Sequence, residues 1–209
     1  FMPNGSYNNM NAEQVCRSLK DIGFDAVEWT QVFASPRNKT EKDLKDLVRI
    51  SGDFGLEISE IVVQQDLILK DENLRKDNIS YIKECIEAYS NVGINTINLF
   101  SGPIPWIANP LKIGRDISQG SAWGMLFEAF DQIVPLAEKK QVNIAVENVW
   151  GMLCCDFYTN KYLIEHYKSD YLGVNFDPSH DILAGNLDIG WIINSWGKYI
   201  KHIHLKDAV

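Results

Sequence analysis

The chain has 209 residues, 45% hydrophobic and 23% charged, enough apolar material for one sizeable core. Its 28 acidic residues outnumber 20 basic ones, for a formal charge of −8, with no basic cluster. That counts against nucleic acid, whose binding rests on neutralising phosphates, and against an anionic membrane surface; no run approaches the roughly 20 apolar residues of a membrane span.

In chain order, residues 1–10 read as a turn-rich loop around Pro3 and Gly5, with Phe1 and Met2 the tail of an earlier strand. Asn11–Ile22 reads as an amphipathic helix with Asn11 as N-cap, Val15, Leu19 and Ile22 on one face, and Gly23 ending it. Phe24–Trp29 is a short strand whose end carries Glu28, and TQVFASPRNKT is a loop. Thr40 caps a helix to Asp53, and Leu56–Val63 is a strand with Glu60 within it. A helix from Asp71 or Asn73 to Val92 turns Ile79, Ile82, Cys85, Ile86 and Tyr89 inward, and Gly93 stops it. The strand Ile94–Phe100 leads into a long loop with Pro103, Pro105, Trp106 and Pro110. Ser121 or a neighbour caps a helix to Lys140, and the strand Val142–Glu147 and a loop with Trp150 follow. The helix Thr159–Lys168, the strand Leu172–Asp177, a helix around Leu187–Trp196 and the strand Tyr199–Leu205 complete the chain.

Strand and helix alternate strictly, and no Gly-, Pro- or Ser-rich linker divides the chain, so residues 1–209 read as one domain with a parallel sheet and right-handed helical crossovers. A doubly wound open sheet and a (β/α)8 barrel both have this pattern. No GxGxxG or P-loop follows the first strand, whereas Glu28, Glu147, Asp177 and His204 end four different strands. A barrel gathers all its C-terminal strand ends at one mouth. Six full strands and one tail fall short of eight, so the expected fold is an α/β, (β/α)8 TIM barrel truncated at both ends. The cysteines (Cys16, Cys85, Cys154 and Cys155) form no CxxC and no disulfide framework. No segment reads as a signal peptide, and a reducing, cytoplasmic location is the expectation.

Glu147 ends NIAVEN, Asp177 sits in YLGVNFDPSHD and His204 in YIKHIHLKD, 30 and 27 residues apart. Two carboxylates and an imidazole at matched strand ends suit one divalent ion (Mn²⁺, Mg²⁺, Co²⁺ or Zn²⁺), and the lack of a thiolate speaks against structural zinc. Such an ion polarises a carbonyl while a carboxylate moves a proton on the next carbon; in the purely structural reading each carboxylate caps the following helix. His180 binds substrate oxygen or a second metal, or caps a helix. Glu28 binds a sugar hydroxyl or serves structure, and Lys206 pairs with an anionic substrate group or is solvated, as is its neighbour Asp207. Trp106 and Trp150 stack on a sugar ring or pack their loops. His202 lies on the face of His204 one layer deeper, as a satisfied core histidine, and His166 is a surface residue. Glu60 points either into the barrel or towards its mouth.

VNFDPSHD, AVEN and HIHLKD, in this order and spacing, resemble the xylose isomerase-like TIM-barrel superfamily of sugar phosphate isomerases and epimerases, which also includes AP endonuclease family 2-like proteins. The resemblance spans FMPNGS to HIHLKD, implies a small-molecule sugar substrate and is compatible with a homo-oligomer. Through its ketose 3-epimerase branch it implies that Glu147, Asp177 and His204 hold one divalent ion and that His180 touches substrate. Glu147 and a second glutamate would exchange the proton through a metal-held enediolate; that glutamate, also the fourth ligand, has no match before Val209. An endonuclease IV-like phosphodiesterase shares the Asp177-x-x-His180 and His202-x-His204 patterns, but no histidine precedes His166. The same barrel would also suit an inosose dehydratase-like lyase or a non-catalytic carbohydrate-binding protein.

Overall fold

The structure, a computed structural model, describes residue 7, residues 9–185 and residues 188–206. The readings made for Phe1, Met2, Pro3, Gly5, Leu187 and Asp207 lie outside the described residues. Six strands, β1 (Ala26–Trp29), β2 (Glu57–Val63), β3 (Thr96–Leu99), β4 (Asn143–Glu147), β5 (Leu172–Phe176) and β6 (Ile200–Ile203), pair in sequence order, each parallel to the next. The helices are α1 (Ala12–Ile22), α2 (Gln31–Ala34), α3 (Glu41–Asp53), α4 (Glu72–Ser90), α5 (Gln119–Lys140), α6 (Phe157–Tyr167), α7 (Pro178–Leu183) and α8 (Ile189–Trp196). Among the described residues, none is long and apolar enough to cross a membrane.

Local chemistry sets most boundaries. Asn11 with Gln14 and Thr40 with Asp43 form capping boxes that satisfy the first free N–H groups of α1 and α3, and Gly23 closes α1 in the left-handed region at φ 104°. At the start of α5 the cap is Ser118, close to the expected Ser121, whose amide donates to the Ser118 hydroxyl. Ile22 also departs from the expected inner face of α1 and is exposed, while Val15, Cys16 and Leu19 are buried. The stretch read as a loop after β1 contains α2. A four-residue helix carries no periodic signal. It is held by tertiary contacts instead: Gln31 Nε2 donates to the Val62 carbonyl at 2.8 Å, and Phe33 lies 4.7 Å from the ring of Trp29. All four cysteines are free.

The sheet curls. His204 Nε2 reaches Glu28 Oε1 at 3.0 Å, and His202 Nε2 reaches Ser59 Oγ at 3.2 Å, so the end of β6 meets β1 and β2 across the lumen. A flat sheet would hold its first and sixth strands roughly 24 Å apart, at about 4.8 Å per strand. The architecture is a curled half-barrel, an incomplete (β/α)8 TIM barrel, and the open-sheet reading falls. The outward strand residues, among them Val27, Trp29, Ile61, Ile97, Leu99, Ile144, Val146, Leu172, Val174 and Phe176, join the helices in one buried core. The lumen contrasts with the branched aliphatic filling usual in such barrels, since Glu28, Glu60, Asn98, Glu147 and Asn175 are all buried. Gly173 has a steric reason: a Cβ there would overlap the carbonyl oxygen of Tyr199 on the way into β6.

Candidate functional site

Glu147 is the last residue of β4. Asp177 follows β5 and caps α7, whose first residue, Pro178, is pre-set for a helix start. The backbone N–H of His204 donates to the Phe176 carbonyl at 3.0 Å, which extends the β5–β6 ladder and sets the imidazole beside Asp177. The segment PSHDIL is a short helix that sets His180 beside Asp177. Asn148 locks the arrangement: its Oδ1 accepts from the Asp177 amide at 2.8 Å, and its Nδ2 donates to the Asp177 carbonyl at 2.8 Å and to Asp181 Oδ2 at 2.7 Å.

Each carboxylate commits one oxygen to a neutral donor and leaves the other facing a common point. Glu147 Oε2 accepts from Asn98 Nδ2 at 3.2 Å, and Asp177 Oδ1 accepts from the amide of Ser179 at 2.9 Å and its hydroxyl at 2.5 Å. Glu147 Oε1 lies 3.2 Å from His204 Nδ1, and Asp177 Oδ2 lies 3.5 Å from His180 Nε2. The Lys206 ammonium stands between them, 2.5 Å from Asp177 Oδ2 and 3.9 Å from Glu147 Oε1. One ligand atom from each of Glu147, Asp177 and His204 lies within 4.8 Å of the others.

A second group shares His204. Ligand atoms of Glu28, Glu60, His202 and His204 also fall within 4.8 Å of one another, deeper in the lumen. Asn175 joins them: its Nδ2 donates to Glu60 Oε1 at 3.2 Å and lies 3.1 Å from His204 Nε2, while its Oδ1 is 3.2 Å from His202 Nδ1. Glu60 thus points into the barrel, and its Oε2 is buried without a hydrogen bond. His202 shares the face of His204 and is satisfied by Asn175 and Ser59.

Burial pushes the Glu60 carboxyl up to about 8, against the pull of His204. Burial pushes the His204 imidazole down, but hydrogen bonds with Glu147, Glu28 and Glu60 outweigh it and carry the group up to about 12. Burial also lowers His180 and His202. Between pH 4.5 and 8 folded Glu60 keeps a proton that the unfolded chain releases, and between 6.5 and 12 folded His204 does the same. Both contributions to stability fall as pH rises; His180 and His202, held below 6.5, oppose them only up to about that pH, so the fall prevails across the range. The metal-free protein should therefore melt several degrees lower at about pH 8.5 than at about pH 5.5, since roughly 1 kcal/mol moves the midpoint about 2–4 °C at this length. Excess Mn²⁺ should oppose the trend, because metal binding favours deprotonated ligands. A pH series of thermal melts with and without chelator measures both, and a midpoint that rises with pH in chelator would contradict the assignment.

Of the remaining residues singled out in the sequence, Trp106, His180 and Lys206 join Gln64, Phe100, Val149, Glu147 and His204 around a pocket of about 200 Å³. Trp106 is 61% exposed and meets Phe100 edge to face at 5.5 Å. Trp150 is equally exposed but does not line that pocket. Glu28 faces His204 rather than the pocket. His166 lies on α6, stacked on Phe127 at 4.2 Å. Sequence reasoning misses Gln64, Asn98, Asn148, Asn175 and Ser179. For Asn98 and Asn175 a signal exists: each is a polar residue within a short apolar strand, at a period-two position that faces the lumen.

Several solved structures share this fold. A 3-keto-D-glucoside 4-epimerase from E. coli superposes with a TM-score of 0.80 at 15% identity, over 98% of this chain and 77% of that one. A D-psicose 3-epimerase from Clostridium cellulolyticum H10 gives 0.76 at 16% identity, over 97% and 68%. A mannonate dehydratase from Streptococcus suis serotype 2 gives 0.76 at 15% identity, over 98% and 70%. No match was found among curated proteins. The family model described as xylose isomerase-like TIM barrel matches residues 16–209, the strand-end motifs and the curled sheet included, and the chain belongs to that family.

Proposed function

We propose that this chain forms the catalytic barrel of a divalent-metal-dependent sugar isomerase or epimerase, which moves a proton on the carbon next to a carbonyl. The observation that carries this reading is the convergence of Glu147, Asp177 and His204, with one oxygen of each carboxylate tied off and the other turned to a point where the protein places a cation of its own. That donor set fits a divalent ion, and these three residues would hold it. When bound, such an ion polarises a sugar carbonyl and so acidifies the adjacent C–H.

The chain's own groups do the rest. The Glu147 carboxylate takes the proton from carbon; its return by Glu147 to the neighbouring carbon would give an isomer, whereas an epimer needs a second group on the opposite face, and Asn98 on Oε2 fixes the direction of the carboxylate. His180 offers Nε2 to a substrate oxygen, Trp106 offers an aromatic surface to the apolar face of a sugar ring, and Lys206 pairs with an electron-rich substrate group. Trp150, exposed in the loop after β4, offers a second aromatic surface. Glu28, held on His204 Nε2, orients that imidazole so that Nδ1 faces Glu147.

Similarity to a mannonate dehydratase supports a second reading, in which the same proton abstraction is followed by loss of water. One experiment separates them: the purified protein with Mn²⁺ in deuterium oxide, offered a panel of ketoses, keto-glycosides and sugar acids. The proposal expects deuterium next to a carbonyl with the mass otherwise unchanged; a product lighter by one water marks the lyase. If the protein binds no Mn²⁺ and no compound takes up deuterium, both readings are wrong.

A further inference from the structure

Lys206 lies two residues beyond His204, and its ammonium reaches into the site, 2.5 Å from Asp177 Oδ2. It takes the one Asp177 oxygen that the N-terminus of α7 leaves over. The two partners differ in freedom. Asp177 is fully buried, held through its main chain by Asn148 and through Oδ1 by Ser179. The Lys206 side chain is 48% exposed on a flexible four-carbon stem.

We infer that Lys206 is the resident counter-cation of this site, which neutralises Asp177 beside Glu147 until a divalent ion displaces its ammonium from Asp177, within the pocket that Lys206 lines with Trp106 and His180. The inference rests on the reading that Glu147, Asp177 and His204 take a divalent metal. An ion on Asp177 Oδ2 and the ammonium cannot share that oxygen at 2.5 Å, because like charges this close in a buried site repel strongly. The carboxylate cannot follow the lysine and the lysine can leave, so the exchange moves the lysine. Its ammonium then becomes available to an electron-rich substrate group only once the metal is in place, which orders binding as metal first and sugar second.

Calorimetry of Mn²⁺ binding to the metal-free protein tests this. Lys206→Met is expected to bind Mn²⁺ at least about tenfold more tightly than wild type, Lys206→Arg to stay near wild type, and Lys140→Met, at the other end of the barrel, to change nothing. In wild type, Mn²⁺ should raise the rate at which an amine-reactive reagent modifies Lys206 several-fold, read by mass spectrometry; this arm needs no variant to fold. Unchanged or weaker affinity in Lys206→Met, or labelling indifferent to Mn²⁺, overturns the counter-cation role. Absence of Mn²⁺ binding in wild type overturns the metal reading beneath it.

Discussion

Glu147→Gln is expected to slow proton exchange by a factor of about 1,000 or more and to leave the fold intact. The two side chains are nearly the same size, so the buried volume at the end of β4 is kept. The amide cannot accept a proton from carbon, and positioned acid–base groups typically contribute about 10²–10⁴-fold. It also removes one of the two carboxylates from the candidate ligand set and one of the three hydrogen-bonded acceptors that hold up the pKa of His204. Mn²⁺ affinity should therefore drop alongside the rate. Deuterium uptake by the best substrate, read with calorimetry and a thermal melt on the same preparation, separates the effects. Exchange within a few-fold of wild type at saturating Mn²⁺ would mean that another group moves the proton.

Asn175→Leu should be the most destabilising conservative-volume change in the lumen, by roughly 3–5 kcal/mol. One buried amide serves Glu60 and His202 at once, and a leucine leaves both without it. Losing one partner of a buried polar network costs more than the net worth of the bonds, because the remaining groups stay desolvated and unpaired. The same logic predicts partial recovery in the double variant Asn175→Leu, Glu60→Leu, which removes the worst orphan along with its partner. Urea unfolding of wild type, both single variants and the double variant closes the cycle. A loss below about 1 kcal/mol in Asn175→Leu, or simple additivity in the double variant, would show that the lumen network does not act as a unit.

Glu147, Asp177 and His204 can be nominated from the sequence because each ends an apolar run, and strand ends on one side of a parallel sheet share a mouth. The capping residues Asn11 and Thr40 are legible for a similar reason, since a cap is a bond between near neighbours in the chain. Glu60 cannot be oriented that way. Its direction depends on a register shift between Val27 and Glu28 on the neighbouring strand, and a shift of one residue exchanges lumen for helix layer. Glu28 reads as a substrate group because nothing in its own segment names a partner 176 residues away.

The sequence by itself determined the alternation of helix and strand, the parallel sheet and the chemical types available at its mouth, because periodicity, caps and strand-end position are local properties of the chain. Only the tertiary structure decided which of those groups meet. The curl of the sheet brings His204 against Glu28, Asn175 ties Glu60 to His202, and Lys206 comes to rest on Asp177. Contacts across a lumen are set by strand register and sheet curvature, which sum over all six strands, and no short stretch of sequence contains that sum.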